Sequence, residues 1–121
     1  MLQQFYPTPA HGYCFELNKD LHFAAAHFLE HEDAGICRRM HGHTYFVNVT
    51  IAGNTLDDCG FLVNFQALKQ LVHGQYDHSL LSDHADFQDG TPSTERVAEA
   101  IWRRIQDYLN QLAHQPRCIQ I

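Results

Sequence analysis

The sequence predicts a single α+β domain, in which an antiparallel sheet carries two helices on one face. Two stretches, 15–27 and 41–52, alternate apolar and polar residues with the period of half-buried strands. Two later stretches, 64–73 and 91–113, repeat apolar residues with the period of amphipathic helices. Cys118–Ile121 begins a further strand, so the order is strand, strand, helix, helix, strand.

Size and composition narrow the classes of protein that this chain can be. With 121 residues, of which 45% are hydrophobic, residues 1–121 are expected to form one domain. The net charge of −6 argues against an electrostatic nucleic-acid binder. No apolar run is long enough to cross a bilayer and no signal-peptide pattern opens the chain. The four cysteines form no CxxC pair, so a cytoplasmic protein with reduced thiols and no membrane partner is expected.

Three of the ten histidines form a candidate metal site. His41 and His43 flank a glycine on the second strand, so both imidazoles leave the same face. His27 ends the first strand on the matching parity, and antiparallel pairing would bring it beside the other two. Three neutral imidazoles with one open position are a ligand set of catalytic zinc. The alternative is three hydrogen-bonded histidines near a loop, and spacing alone leaves both open.

The clearest helix start lies at the beginning of the second helix. Thr91 is predicted as its N-cap and Pro92 as its first helical residue. Glu95 then falls in the first turn, where a carboxylate complements the helix dipole. Alternatively, Glu95 accepts two parallel N–H groups of a ligand. One apolar stripe follows along the helix: Val97, Ile101, Ile105, Tyr108 and Leu112.

Two further segments carry candidate chemistry. Cys37 lies between the proposed metal ligands and is followed by Arg38 and Arg39, which favour a thiolate and are candidate phosphate partners. A lone cysteine is otherwise an inert, buried small residue. Asp77 and His78 are adjacent in a polar stretch. Neighbours in an extended segment point in opposite directions, so a direct contact between these two requires a bend, and a surface loop pair is the alternative.

With these residues in view, the chain resembles the 6-pyruvoyl-tetrahydropterin synthase family. The resemblance rests on the runs 23–27 and 37–43, and on the segments 60–65, 76–81 and 92–95 in the same order. It implies a tunnelling fold (T-fold): two antiparallel hairpins with two helices on one face, three subunits joined into a barrel and two trimers stacked into a hexamer. A cysteine separated by three residues from His-Gly-His is typical of the bacterial 6-carboxy branch.

The resemblance also implies a role for each candidate residue. Zinc would bind the three histidines, and Cys37 would abstract a proton. Asp77 and His78 would be its relay partners, from a neighbouring subunit. Glu95, helped by Thr94, would anchor the pterin ring. The 6-carboxy branch implies a lyase of queuosine (7-deazapurine) biosynthesis, which converts 7,8-dihydroneopterin triphosphate to 6-carboxy-5,6,7,8-tetrahydropterin and releases acetaldehyde and triphosphate.

Two departures from the family pattern and two alternatives accompany this interpretation. Asn64 stands where many relatives have Asp, and it can still cap the first helix. The family has a further catalytic Glu beyond Ile121, so the final strand is expected to be truncated or the relay to lack one member. The alternatives are a 6-pyruvoyl enzyme, which eliminates triphosphate only, and a non-catalytic zinc-stabilised binding module with a closed four-ligand site.

Overall fold

A computed structural model of the protein describes residues 6–28, 32–88 and 90–121. Short 3-10 turns lie at Glu32–Arg38, Leu81–Asp83 and Ala85–Phe87. The other elements are two α-helices and four strands of one sheet, in which the neighbours run β3-β1-β2-β4. Their bounds are β1 (Phe15–His27), β2 (His41–Gly53), α1 (Phe65–Tyr76), β3 (Ser79–Leu80), α2 (Thr94–Leu109) and β4 (Arg117–Gln120).

The hairpin of β1 and β2 dominates the fold and confirms the two predicted strands. The strands pair antiparallel along their whole length, from Phe15 opposite Gly53 to His27 opposite His41. Side chains of odd parity on both strands turn towards the helices, as the alternation predicts. Buried on this face are Leu21, Phe23, Ala25, Val47, Val49 and Ile51. The face that carries the core therefore also carries His27 and the histidines of β2.

The predicted sheet of two antiparallel hairpins is wrong in part. Within the described residues the sheet is mixed, because the two-residue strand β3 pairs in parallel with β1. The remaining strand, β4, pairs antiparallel with β2 and forms no second hairpin. The backbone explains the addition of β3: the amide of His78 donates to the carbonyl of Ala24 at 2.7 Å, in a stretch whose polar sequence indicated irregular structure.

The helices pack their apolar stripes against the hairpin. Helix α1 begins as predicted, with Asn64 Oδ1 accepting from the amide of Gln66 at 2.8 Å, and it continues to Tyr76. Helix α2 buries Val97, Ile101, Ile105 and Leu109. None of the helices in the described ranges is both long and apolar enough to cross a membrane.

The predicted start of α2 is wrong by two residues. Ser93, not Thr91, is the N-cap, and its Oγ accepts from the amide of Arg96 at 3.3 Å. The carbonyl of Thr91 instead accepts from the amide of Ser93 at 2.9 Å, which makes a turn ahead of the helix. Pro92 therefore lies outside the helix, and its carbonyl is free to accept from His27.

Candidate active site and metal centre

The strand register brings the three predicted ligands together. His27 pairs directly with His41, and His43 lies opposite Ala25 two residues along the same face. The ring centroid of His27 lies 4.6 Å from that of His41 and 5.0 Å from that of His43. One ligand nitrogen from each of the three residues lies within 4.8 Å of the others. The predicted convergence of the imidazoles is confirmed.

Backbone carbonyls orient two of these rings. His27 Nδ1 donates to the carbonyl of Pro92 at 2.8 Å, and His41 Nδ1 donates to that of Arg39 at 2.7 Å. A carbonyl can only accept, so both protons sit on Nδ1 and both Nε2 atoms present lone pairs. These Nε2 atoms are 3.0 Å apart. Two converging lone pairs repel unless a cation lies between them. Tetrahedral zinc ligands stand roughly 3.4 Å apart, so this donor set suits a zinc-like ion.

The environment of His27 keeps its ring neutral. The residue is only 4% exposed, and Tyr45 Oη lies 3.2 Å from its Nδ1. Burial lowers the pKa of His27 below the usual value of 6.5, outweighing the hydrogen bond to Pro92 that raises it. The neighbouring His41 and His43 lower this pKa further. A neutral imidazole is the form that binds a metal.

The site keeps an open side. Among the side chains that the structure describes, which do not include that of Cys37, no fourth histidine, cysteine, aspartate or glutamate joins the three histidines. His43 is exposed, and a cavity of about 190 Å³ adjoins Pro92, with Phe28 and Ser82 in its wall. A larger cavity, about 550 Å³, lies near Asn54, at the opposite end of the hairpin from the histidines. Cavity size alone would therefore misplace the metal site.

Cys37 lies on the backbone that connects the ligand strands. It falls in the 3-10 turn Glu32–Arg38, which bends at Gly35, where φ is +57°. The side chains of Cys37 and Arg38 lie outside the described residues, so the proton-abstracting role of Cys37 stays a prediction. The turn has a clear link to the metal site, since the carbonyl of Arg39 just beyond it holds the ring of His41.

Asp77 and His78 form the direct pair that required a bend. His78 has a φ of +58°, which turns its ring back so that Nδ1 donates to Asp77 Oδ2 at 2.6 Å. Asp77 Oδ1 accepts from the amide of Ala24 at 2.9 Å. This amide lowers the pKa of Asp77, burial opposes the shift, and the His78 hydrogen bond adds to it. The His78 side chain remains 86% exposed, available to a molecule outside this chain.

Three contacts of the site were missed from the sequence. His73 Nε2 lies 3.3 Å from Asp77 Oδ2, and its i,i+4 spacing at the end of α1 could have indicated the contact. The contact of Tyr45 with His27 could have been predicted, because Tyr45 shares the strand parity of the two β2 histidines. The contact of His27 with the carbonyl of Pro92 had no sequence signal, because any residue type can supply a backbone acceptor.

Thr94 and Glu95 open α2, shortly after the proline that holds His27. Both side chains are exposed. Thr94 lines a cavity of about 200 Å³ together with Tyr45 and Phe46, so the start of α2 faces β2 near the metal histidines. Their proposed contacts with a pterin ring stay predictions.

Known proteins agree with this fold. The chain matches the family model described as 6-pyruvoyl tetrahydropterin synthase over residues 16–121. It is 58% identical over 125 aligned residues to the 6-carboxy-5,6,7,8-tetrahydropterin synthase of Bacillus subtilis (strain 168), covering 100% of this chain and 86% of that protein. The protein of the same name from Synechocystis is 32% identical over 97 residues, 74% of this chain and 73% of that one.

A solved structure gives the same fold. The chain superimposes on the Caenorhabditis elegans 6-pyruvoyl tetrahydropterin synthase with a TM-score of 0.62 and 24% sequence identity, over 77% of each chain. At this identity the likeness concerns the fold alone. The family match, by contrast, covers both the hairpin and the helices described above. The chain belongs to the 6-pyruvoyl tetrahydropterin synthase family.

Proposed function

We propose that this chain is a 6-carboxy-5,6,7,8-tetrahydropterin synthase, a carbon–carbon lyase. It would convert 7,8-dihydroneopterin triphosphate to 6-carboxy-5,6,7,8-tetrahydropterin, with release of acetaldehyde and triphosphate, in queuosine biosynthesis. The observation that carries the proposal is the 58% identity with the Bacillus relative across the whole chain. The convergence of three imidazole donors at the end of the hairpin supports it.

The three histidines would hold one zinc ion. Imidazole nitrogens suit zinc better than magnesium or calcium, which prefer oxygen ligands. When bound, zinc supplies Lewis-acid stabilisation of negative charge that develops on oxygen. His27 anchors this arrangement because it is buried and its ring is fixed by Pro92. The exposed side of His43 leaves room for the substrate to approach.

Proton movements would fall to Cys37, Asp77 and His78. The Cys37 thiolate would take a proton from a side-chain carbon of the substrate. Asp77 accepts from Nδ1 of His78, which fixes the tautomer and leaves Nε2 free to accept and return a proton. The exposure of His78 suits a role at the boundary with a neighbouring subunit.

Glu95 would orient the pterin ring. A carboxylate accepts two parallel N–H groups in a bidentate contact, and the amino group and ring N–H of a pterin present such an edge. Glu95 is exposed in the first turn of α2, and Thr94 beside it lines the cavity next to β2.

A homohexamer made of two trimers is the assembly that we propose, in the cytoplasm. Phe46 supports assembly: it is 80% exposed on the sheet face opposite the buried side chains of β1 and β2. Three described cysteines, Cys14, Cys59 and Cys118, are free thiols, which suits a reducing compartment. Light scattering that gave the mass of one chain would contradict the hexamer.

Two alternatives are separated by one experiment. The purified protein is incubated with 7,8-dihydroneopterin triphosphate and the pterin product is identified by mass spectrometry. We expect the 6-carboxy product; a retained pyruvoyl side chain would identify the 6-pyruvoyl reaction instead. No turnover at all by the zinc-loaded protein would favour the zinc-stabilised binding module.

The proposed base has its own test. Cys37→Ala should abolish turnover and leave the zinc content unchanged, because in this proposal the residue would act on protons and would not be a zinc ligand. Cys14→Ala is the matched control, since Cys14 is an exposed free thiol outside the site. Full activity of Cys37→Ala would refute the assignment.

A further inference from the structure

A cavity of about 310 Å³ between β1 and α1 gathers basic side chains. Lys19 and His22 of β1 line it from one side, and Lys69 and His73 of α1 from the other. Lys19 and Lys69 are the only lysines of a chain whose net charge is −6. Like charges repel, so placing both lysines in the wall of one cavity costs free energy unless negative charge offsets it.

Neighbouring contacts hold two of these groups in place. Lys19 Nζ lies over the ring of Phe65, 4.9 Å from its centroid. His73 Nδ1 donates to the carbonyl of His22 at 2.7 Å, which joins α1 to β1. The one acidic residue in the wall, Asp20, is engaged elsewhere, because its Oδ1 accepts from Asn48 Nδ2 at 2.9 Å. The balance of charge in the wall is therefore positive.

The cavity borders the proposed proton-transfer pair. The His73 ring in its wall lies 3.3 Å from Asp77, measured from Nε2 to Oδ2, and the same Asp77 oxygen accepts from His78. An anion in the cavity would therefore sit beside the residues that are proposed to act on the substrate.

We propose that this cavity is a polyphosphate-binding site, occupied by the triphosphate group of the reaction. Lysine ammonium groups on flexible stems bind phosphate oxygens as point charges. The assignment to triphosphate rests on the proposed function, since that reaction releases triphosphate. The group can arrive attached to the substrate or bind as the free product anion, and the chemistry of recognition is the same.

Binding of inorganic triphosphate to the full chain, measured by isothermal titration calorimetry, tests the site. Lys19→Ala combined with Lys69→Ala should weaken binding by roughly tenfold or more, because each lysine supplies a charge-assisted contact. The matched control is Arg96→Ala combined with Arg103→Ala, which removes the same charge from the exposed face of α2, where both arginines lie near Glu99. No binding by the unaltered protein, or equal weakening in both double variants, would overturn the site.

Kinetics distinguish the two sources of the anion. A higher KM for 7,8-dihydroneopterin triphosphate in the lysine variant would assign the cavity to the substrate's triphosphate. An unchanged KM with relief of inhibition by added triphosphate would assign it to the released product. If neither changes, the assignment is wrong.

The site and the proposed function can fail separately. A protein that binds triphosphate but makes no 6-carboxy product would refute the function alone. A protein that makes the product but ignores inorganic triphosphate would refute the site alone.

Discussion

The candidate metal site depends on how single residues are held. His27 is buried, and its Nδ1 donates to the carbonyl of Pro92 rather than to water. His41 is oriented in the same way by the carbonyl of Arg39. Fixing the Nδ1 proton aims each Nε2 at one point, which is how outer contacts prepare metal ligands. The protein thus prepares the donor set through backbone carbonyls and needs no carboxylate for this purpose.

Substitution of His27 tests this preparation. His27→Ala should weaken zinc binding by more than the roughly 10–100-fold typical of a change outside the ligand set, because it removes the buried ligand itself. Zinc content per chain after dialysis is the measurement. His11→Ala is the control, as His11 pairs with Glu16 at the end of β1 remote from His27. Equal zinc content in the two variants would contradict the ligand assignment.

At the level of elements, the start of α2 positions both the Pro92 carbonyl and Glu95. Ser93 caps this helix, and loss of an N-cap side chain costs about 1 kcal/mol. We expect Ser93→Ala to lower the melting temperature by about 3–6 °C. Thr91→Ala should have a smaller effect, because Thr91 contributes a backbone carbonyl to the turn. Calorimetry that gave Thr91→Ala the larger effect would restore Thr91 as the cap.

An ion pair ties the two helices to the segment between them. Arg104 Nη2 of α2 donates to Asp86 Oδ1 at 2.9 Å, and the hydroxyl of Tyr76 at the end of α1 donates to Asp86 Oδ2. Burial raises the pKa of Asp86, but the hydrogen bonds from Arg104 and Tyr76 outweigh it, and the net shift is downward. Because Asp77 directly follows α1, this contact also steadies the proposed proton-transfer pair, Asp77 and His78.

The sign of this shift gives a pH dependence. The lowered pKa of Asp86 stabilises the fold fully above the ordinary value of 3.8, and the contribution is lost as the pH falls through the lower folded value. Asp86→Asn should therefore melt below the unaltered protein at pH 7, with a smaller gap at pH 2.5. Melting curves at both pH values check this; a gap that widened in acid would contradict it.

On the scale of the whole molecule, local patterns made the hairpin and its site predictable. The period-two alternation fixes which face of β1 carries His27, and the spacing of His41 and His43 fixes theirs. Once the strands pair antiparallel with His27 opposite His41, the three rings meet. Asn64 was predictable in the same way, because N-capping depends on one side chain and the adjacent turn.

Contacts between distant segments were not predictable. The pairing of β3 with β1 joins residues more than 50 positions apart, and two residues are too few to give a strand pattern. The cavity that unites Lys19 and Lys69 arises only when α1 packs on β1. The orientation of His27 by a backbone carbonyl depends on where α2 begins, and the sequence signal misplaced that start.

The central claim is that three imidazoles hold one catalytic metal ion. Its most direct test is turnover of 7,8-dihydroneopterin triphosphate by protein stripped of metal with a chelator, before and after zinc is returned. We predict no product from the stripped protein and full recovery with one zinc ion per chain. Undiminished turnover by protein proven free of metal would contradict the claim.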